Sequence, residues 1–152
     1  MTAKPLPSRH RGPSESPGFL LWRISNAWQR AQRAALEPHG LTHTQFVALA
    51  VATWFGHDEP LTQVRLSTLT GSDPMTTSQV VRSLERAGHF RRLAHPDDAR
   101  ARQIVVSAGG RRLAAKALRA VEAVDSAFFE GLGSDVQALV RMFQRLDGVA
   151  DR

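Results

Sequence analysis

The sequence predicts a mainly α-helical chain with one small β-hairpin, and three observations predict it. Apolar residues recur at helical spacing in successive blocks between Phe19 and Leu146. Two of those blocks meet at a tight turn at Gly71. A pair of short alternating segments, separated by a Pro- and Asp-rich stretch, follows the second block. The chain has 152 residues, room for one ordinary globular domain, and its 42% hydrophobic content is too high for a disordered polymer. No apolar stretch approaches the roughly 18 residues of a membrane span. Cysteine is absent, which excludes a disulfide framework and any thiol-based metal or redox site. The first 18 residues lack the apolar core of a secretory signal, so a cytoplasmic location is expected.

Residues 1–18 hold Pro5, Pro7, Pro13 and Pro17 and no periodic pattern, which reads as a flexible tail ahead of a single domain over 19–152. From Phe19 the apolar positions Leu20, Leu21, Ile24, Ala27, Trp28, Ala31 and Ala35 form a first amphipathic helix, ended by Pro38 and Gly40. Thr42 and Gln45 make a capping box for a second helix carrying Phe46, Leu49, Ala50 and Trp54, and Gly56 stops it. Thr62 caps a short third helix whose inward residues are Leu66 and Leu69. After Gly71, Asp73 as N-cap and Pro74 in the first turn open a fourth helix. Two helices joined by a tight glycine turn form a helix-turn-helix.

In the helix after Asp73, Thr77, Val80, Val81 and Leu84 share one face and are expected in the core, where Leu84→Ala should cost about 2–5 kcal/mol. The opposite face carries Met75, Gln79, Arg82 and Arg86, flanked by Thr76, Ser78 and Ser83. Gln pairs with both edge atoms of adenine, Arg with guanine, and methyl groups touch thymine. An ordinary solvated face is the alternative for this helix taken alone.

His89 to Ala94 and Gln103 to Ser107 read as two strands, and the loop between them presents Arg100 and Arg102. A helix-turn-helix followed by a hairpin is a winged helix, here spanning about 60–108. Arginine on a projecting loop suits a minor groove, where negative potential is focused. Asp98 is expected to orient Arg100, Arg91 or Arg92. The charge supports this placement: residues 60–112 hold nine Arg against four acids, giving +5 of the net +6. Concentrated guanidinium favours phosphate, because it binds two oxygens in parallel and releases counterions. Ser107 caps a long Ala-rich helix through Leu113, Leu118, Val121 and Phe128, and Ser134 caps another with Val136, Leu139, Val140, Phe143 and Leu146. Their apolar surface exceeds what one small domain covers. Helices at about 19–40 and 108–148 are therefore expected to build a homodimer that sets two recognition helices on a palindromic site, with a monomeric helical cap as the alternative.

The stretch His95–Gly110, HPDDARARQIVVSAGG, resembles the wing signature of the MarR family of bacterial winged-helix regulators, with Asp98 and Arg100 at the Asp-x-Arg positions. The preceding LTQVRLSTLTGSDPMTTSQVVRSLERAGHFRR is similar to that family's paired DNA-binding helices, and the likeness runs through residues 19–148 in order. The resemblance implies a helical homodimer held by its first and last helices, acting on promoters and relieved by a small ligand. Arg65 stands where the family often has an acid, and His89–Phe90 replaces its usual aliphatic pair; neither change removes the DNA-reading face, and Arg65 can add a phosphate contact. Lacking cysteine, the chain has no equivalent of the family's oxidation sensor.

The function expected is therefore a sequence-specific DNA-binding regulator, a repressor released by a small ligand; the alternative is a constitutive DNA-architectural protein. An apolar or aromatic molecule is the expected ligand, with Trp28, His39, Phe46 and Trp54 as the pocket wall. The same aromatics, with Trp22, can instead simply fill the core. No cofactor or metal is expected: His39 and His43 lack a third ligand and read as surface histidines. His57–Asp58–Glu59 and His95 with Asp97 and Asp98 read as solvated turns. No phosphate loop, nucleophile elbow or His-Glu-x-x-His motif supports an enzyme.

Overall fold

A computed structural model of the protein describes residues 6–150, and for Val149 and Ala150 the backbone alone. Residues 1–5 of the expected tail, and 151–152, lie outside the described residues. A single 3-10 turn at Pro13–Glu15 leads into helix α1, Pro17–Leu36. The helix starts two residues before Phe19 because Ser16 accepts the Phe19 N–H at 3.3 Å and Pro17 occupies the first helical position. After a turn at Glu37–His39, closed by Gly40 at φ 66°, helix α2 runs from His43 to Phe55. The remaining elements are β1 (Leu61–Thr62), α3 (Gln63–Thr70), α4 (Pro74–Arg86), β2 (Phe90–Ala94), β3 (Arg102–Val106), α5 (Ala108–Phe129) and α6 (Val136–Ala150).

Helix α2 is the central strut. It carries Phe46, Ala48, Leu49 and Ala52 into the core and packs on α1, α3, α4, α5 and β3. Leu66 of α3, Thr77, Val81 and Leu84 of α4, and Phe90 of β2 complete the buried centre of the winged unit. The sheet order is β1-β3-β2, antiparallel throughout, with Leu61 opposite Ile104 and Phe90 opposite Val106. Two corrections follow from this sheet. Strand β1 is too short to leave an alternating pattern, and Arg102 is the first residue of β3, paired with Ala94, rather than part of the loop.

Ser107 joins the wing to α5. Its hydroxyl donates to Gly88 O at 2.8 Å and accepts the Gly110 N–H at 3.0 Å, while its own N–H reaches His89 O at 2.9 Å. The α5 face turned inward is Ala114, Ala117 and Val121; Leu118, expected in that stripe, is exposed. Small residues there let α5 approach α1 and α2 closely. A 3-10 stretch over Glu130–Asp135 then breaks at Gly133 (φ 52°, ψ −124°), so Ser134 lies inside the turn rather than at the threshold of α6. Helix α6 touches little of its own chain beyond that turn. Met142, Phe143 and Leu146 of α6, and Phe19, Leu20, Leu21, Trp22 and Ile24 of α1, are left exposed.

Candidate nucleic-acid interface

Helix α4 is fixed at its start by Asp73. One carboxylate oxygen accepts the Thr76 N–H at 2.9 Å and the other the Thr76 hydroxyl at 2.6 Å, which together hold the Asp73 carboxyl below its ordinary pKa. The cap therefore engages the hydroxyl hydrogen of Thr76, leaving its methyl group and oxygen lone pairs for a groove. Met75 is 72% exposed, and Gln79, Arg82 and Arg86 are exposed along the same side, with Ser78 half-buried. Ser83, expected to flank this face, turns the other way: its hydroxyl accepts a hydrogen bond from Gln45 Nε2 of α2 at 2.5 Å.

The wing loop, residues 95–101, is folded by its own backbone. His95 N–H donates to Ala101 O at 3.3 Å and Ala101 N–H to Asp98 O at 3.1 Å. Asp98 differs from expectation. Its Oδ1 accepts the backbone N–H of Arg100 at 2.9 Å, the short-range turn this residue type favours, and among the described residues it pairs with no arginine side chain. Arg92 instead forms an ion pair with Glu85, near the end of α4, at 3.1 Å. Arg91, Arg100 and Arg102 are exposed. Helix face and wing together form an arginine-bearing surface with few acids, suited to phosphate and base edges.

The four residues expected to wall a ligand pocket stand in different surroundings. Phe46 is in the core, and Trp54, 76% exposed, lies about 16 Å along α2 from His43. His39 is half-buried in the turn before α2. Trp28 belongs to a polar cluster between α1, α2 and α5. Its indole Nε1 donates to Asp125 Oδ1 at 2.7 Å, and Gln32 Nε2 donates to the same oxygen at 2.8 Å. Gln32 is 0% exposed and its Oε1 has no partner. The His43 ring, expected on the surface, stands edge-on to Trp28 at 5.0 Å. Burial lowers the His43 pKa, Arg33 lowers it further, and Asp125 opposes both. Gln32, one turn after Trp28 within a stripe of alanines, carries a signal: a polar side chain on an apolar face needs a partner. Asp125, 93 residues away, carries none.

Among the described residues no helix is long and apolar enough to cross a membrane. The MarR family model matches residues 41–101, from the start of α2 to the wing. A transcriptional regulator of Bacillus subtilis, YdcH, is 40% identical over 126 residues, covering 80% of this chain and 84% of its own. CouR of Rhodococcus jostii, solved with p-coumaroyl-CoA, superposes with a TM-score of 0.81 at 30% identity over 93% of this chain and 96% of its own. Rv2887 of Mycobacterium tuberculosis, solved with salicylic acid, gives 0.68 at 30% identity over 86% and 96%. With a winged helix-turn-helix set between long flanking helices and relatives of this identity over nearly their whole length, the chain belongs to the MarR family of DNA-binding transcriptional regulators.

Proposed function

We propose that the chain acts as a cytoplasmic homodimeric repressor, without catalytic activity, that occupies a palindromic operator and releases it when a small aromatic ligand binds. The observation that carries the DNA reading is the division of α4: Thr77, Val81 and Leu84 are buried while Met75, Gln79, Arg82 and Arg86 stand in solvent. Thr76, Gln79 and Arg82 read base edges, Met75 supplies an apolar contact, and Ser78 and Arg86 lie nearer the backbone. Arg100 enters the flanking minor groove from a loop whose shape Asp98 holds, and Arg102 contacts phosphate beside it.

The exposed apolar residues of α1 and α6 support the dimer. Trp22 is 67% and Leu146 64% exposed, and a second copy covers such faces more readily than water does. Two-fold symmetry then spaces two α4 helices about 34 Å apart, one turn of duplex. For the ligand, relatives solved with salicylic acid and with p-coumaroyl-CoA favour an aromatic acid or its thioester. The junction of α1, α2 and α5 offers Trp28 as a stacking face and the unpartnered Gln32 Oε1 as an acceptor. Trp54 and Phe46 take no part in that wall.

The test is selection of bound genomic fragments with the purified protein, then competition of the recovered palindrome against random duplex, with and without salicylate or p-coumaroyl-CoA. A preference of about 10³ or more and a ligand-induced loss of about 5–150-fold are expected. A ratio near one would replace the regulator with a constitutive architectural protein. An unchanged ratio with every aromatic acid would remove ligand release.

A further inference from the structure

We infer that Gln45 is a positioning residue for operator reading: it ties the first turn of α2 to the recognition helix and sets the pose in which α4 meets DNA. The inference rests on α4 being the reading helix. Gln45 occupies the third position of α2 and uses both ends of its amide. Its Oε1 accepts the Thr42 N–H at 2.8 Å, completing the capping box, and its Nε2 donates to Ser83 Oγ at 2.5 Å. Capping thus fixes the side chain before it reaches α4, so this hydrogen bond orders little additional rotamer freedom. Ser83 adjoins Arg82, on the reading face, and Leu84, in the core, so a contact at Ser83 controls the rotation of α4 about its axis.

The same turn of α2 carries His43, which meets Trp28 of α1 edge-on, and the Trp28 indole is bonded to Asp125 of α5. Two residues apart, one side chain faces the long helices and the other the recognition helix. A shift of α1 or α5 against α2 therefore reaches α4 through Gln45, without passing through the apolar core. Packing between α2 and α4 alone permits small rotations, because apolar contacts are not directional. The hydrogen bond to Ser83 is directional, and it selects one rotation.

The test uses the full-length protein and the palindromic duplex recovered by the wild type, at fixed salt, with four variants: Ser83→Ala, Gln45→Ala, their double, and Gln45→Glu. Ser83→Ala breaks only the link and leaves the capping box intact, so it reports on positioning even where Gln45→Ala folds poorly. Both single variants are expected to bind the operator about 3–10-fold more weakly and to discriminate less at the base pairs facing Gln79 and Arg82. The salt slope should stay unchanged, since every cation that neutralises a phosphate is still in place. The double variant should be no worse than Gln45→Ala. Gln45→Glu should retain near-wild-type reading, because its carboxylate accepts from both the Thr42 N–H and the Ser83 hydroxyl. Wild-type affinity and preference in both single variants would overturn the inference. So would weaker binding by Ser83→Ala without the same effect in Gln45→Ala, which would place Ser83 itself on the DNA, and so would additive effects in the double variant. Absence of sequence preference in the wild type would overturn it together with the reading of α4.

Discussion

Replacing Asp125 with alanine tests whether the polar cluster, rather than the apolar core alone, holds α1 to α5. The substitution removes the acceptor for the Trp28 indole at 2.7 Å and the Gln32 amide at 2.8 Å. Hydrogen bonds to a charged group contribute about 1.5–3 kcal/mol each. Two corrections lower the sum: Asp125 and Trp28 are only half-buried, so water replaces part of the bonding, and Gln32 Nε2 keeps a long hydrogen bond of 3.4 Å to Val121 O. Gln32 is fully buried with one orphaned oxygen already, so its freed N–H carries most of the penalty. We expect Asp125→Ala to destabilise by about 2–4 kcal/mol, lowering Tm by about 5–15 °C. Asp125→Asn, which keeps an acceptor, should cost less than half of that. The assay is urea unfolding followed by tryptophan fluorescence at one protomer concentration, since dimerisation makes apparent stability concentration-dependent. An Asp125→Ala protein within about 0.5 kcal/mol of wild type would refute the reasoning, because that is the scatter of ordinary surface substitutions.

Gln79→Ala and Arg82→Ala should each lose about 1–3 kcal/mol of discrimination at one base pair, read as relative affinities across a set of single-substitution operators. Arg100→Ala should weaken binding broadly and most at A·T-rich flanks, with a salt slope lower by about one where the guanidinium neutralises a phosphate, measured by titration at several salt concentrations. Because burial depresses the His43 pKa, the unfolded chain binds its proton more readily, so stability should fall as pH drops below 6.5 and toward the folded pKa; His43→Gln should flatten that slope in pH-dependent unfolding. At Gly110 an added Cβ would stand 2.7 Å from His89 O and 3.0 Å from Val106 Cγ1, so Gly110→Ala should destabilise by about 1–3 kcal/mol in the same unfolding assay, despite its better helix propensity.

Those positions also mark what can be read from the chain. Most local signals hold: Thr42 with Gln45, Thr62, Asp73 and Ser107 cap the helices their spacing implies, whereas Ser134 falls inside the 3-10 stretch and does not cap α6. The buried face of α4 follows directly from periodicity, as do the exposed Gln79, Arg82 and Arg86. Contacts between distant segments are not legible. Nothing near Asp125 in the sequence points to Trp28, and nothing near Ser83 separates a DNA-facing hydroxyl from one bonded to Gln45. For Leu118 and the alanines beside it the helical pattern is clear but the inward stripe is not, because it depends on how closely α5 approaches its neighbours. Trp54 shows the limit of residue type: a tryptophan at helical spacing reads as a core or pocket residue, yet it stands 76% exposed at the end of α2.

The joints around the winged unit bear on how a signal could travel. Ser107 binds both ends of the hairpin to the first turn of α5 through three hydrogen bonds, and Gln45 and Ser83 bind the first turn of α2 to α4. Arg92 and Glu85 add a tie between wing and reading helix. Wing and recognition helix therefore move together, and a signal has little freedom to bend one against the other. Between this unit and the long helices the apolar core continues through Leu36, Ala114, Ala117 and Val121, and the Trp28–Gln32–Asp125 cluster adds polar contacts beside it, with one buried amide oxygen unpaired. A rearrangement that brought a donor to the orphaned Gln32 oxygen would gain a hydrogen bond the buried group now lacks. A shift of α1 or α5 at that cluster would therefore carry the winged unit as one body, because the wing and α4 are tied to each other. In a two-fold dimer that motion changes the spacing of the two reading helices rather than their shape, and a ligand shifts it only by binding one spacing better than the other.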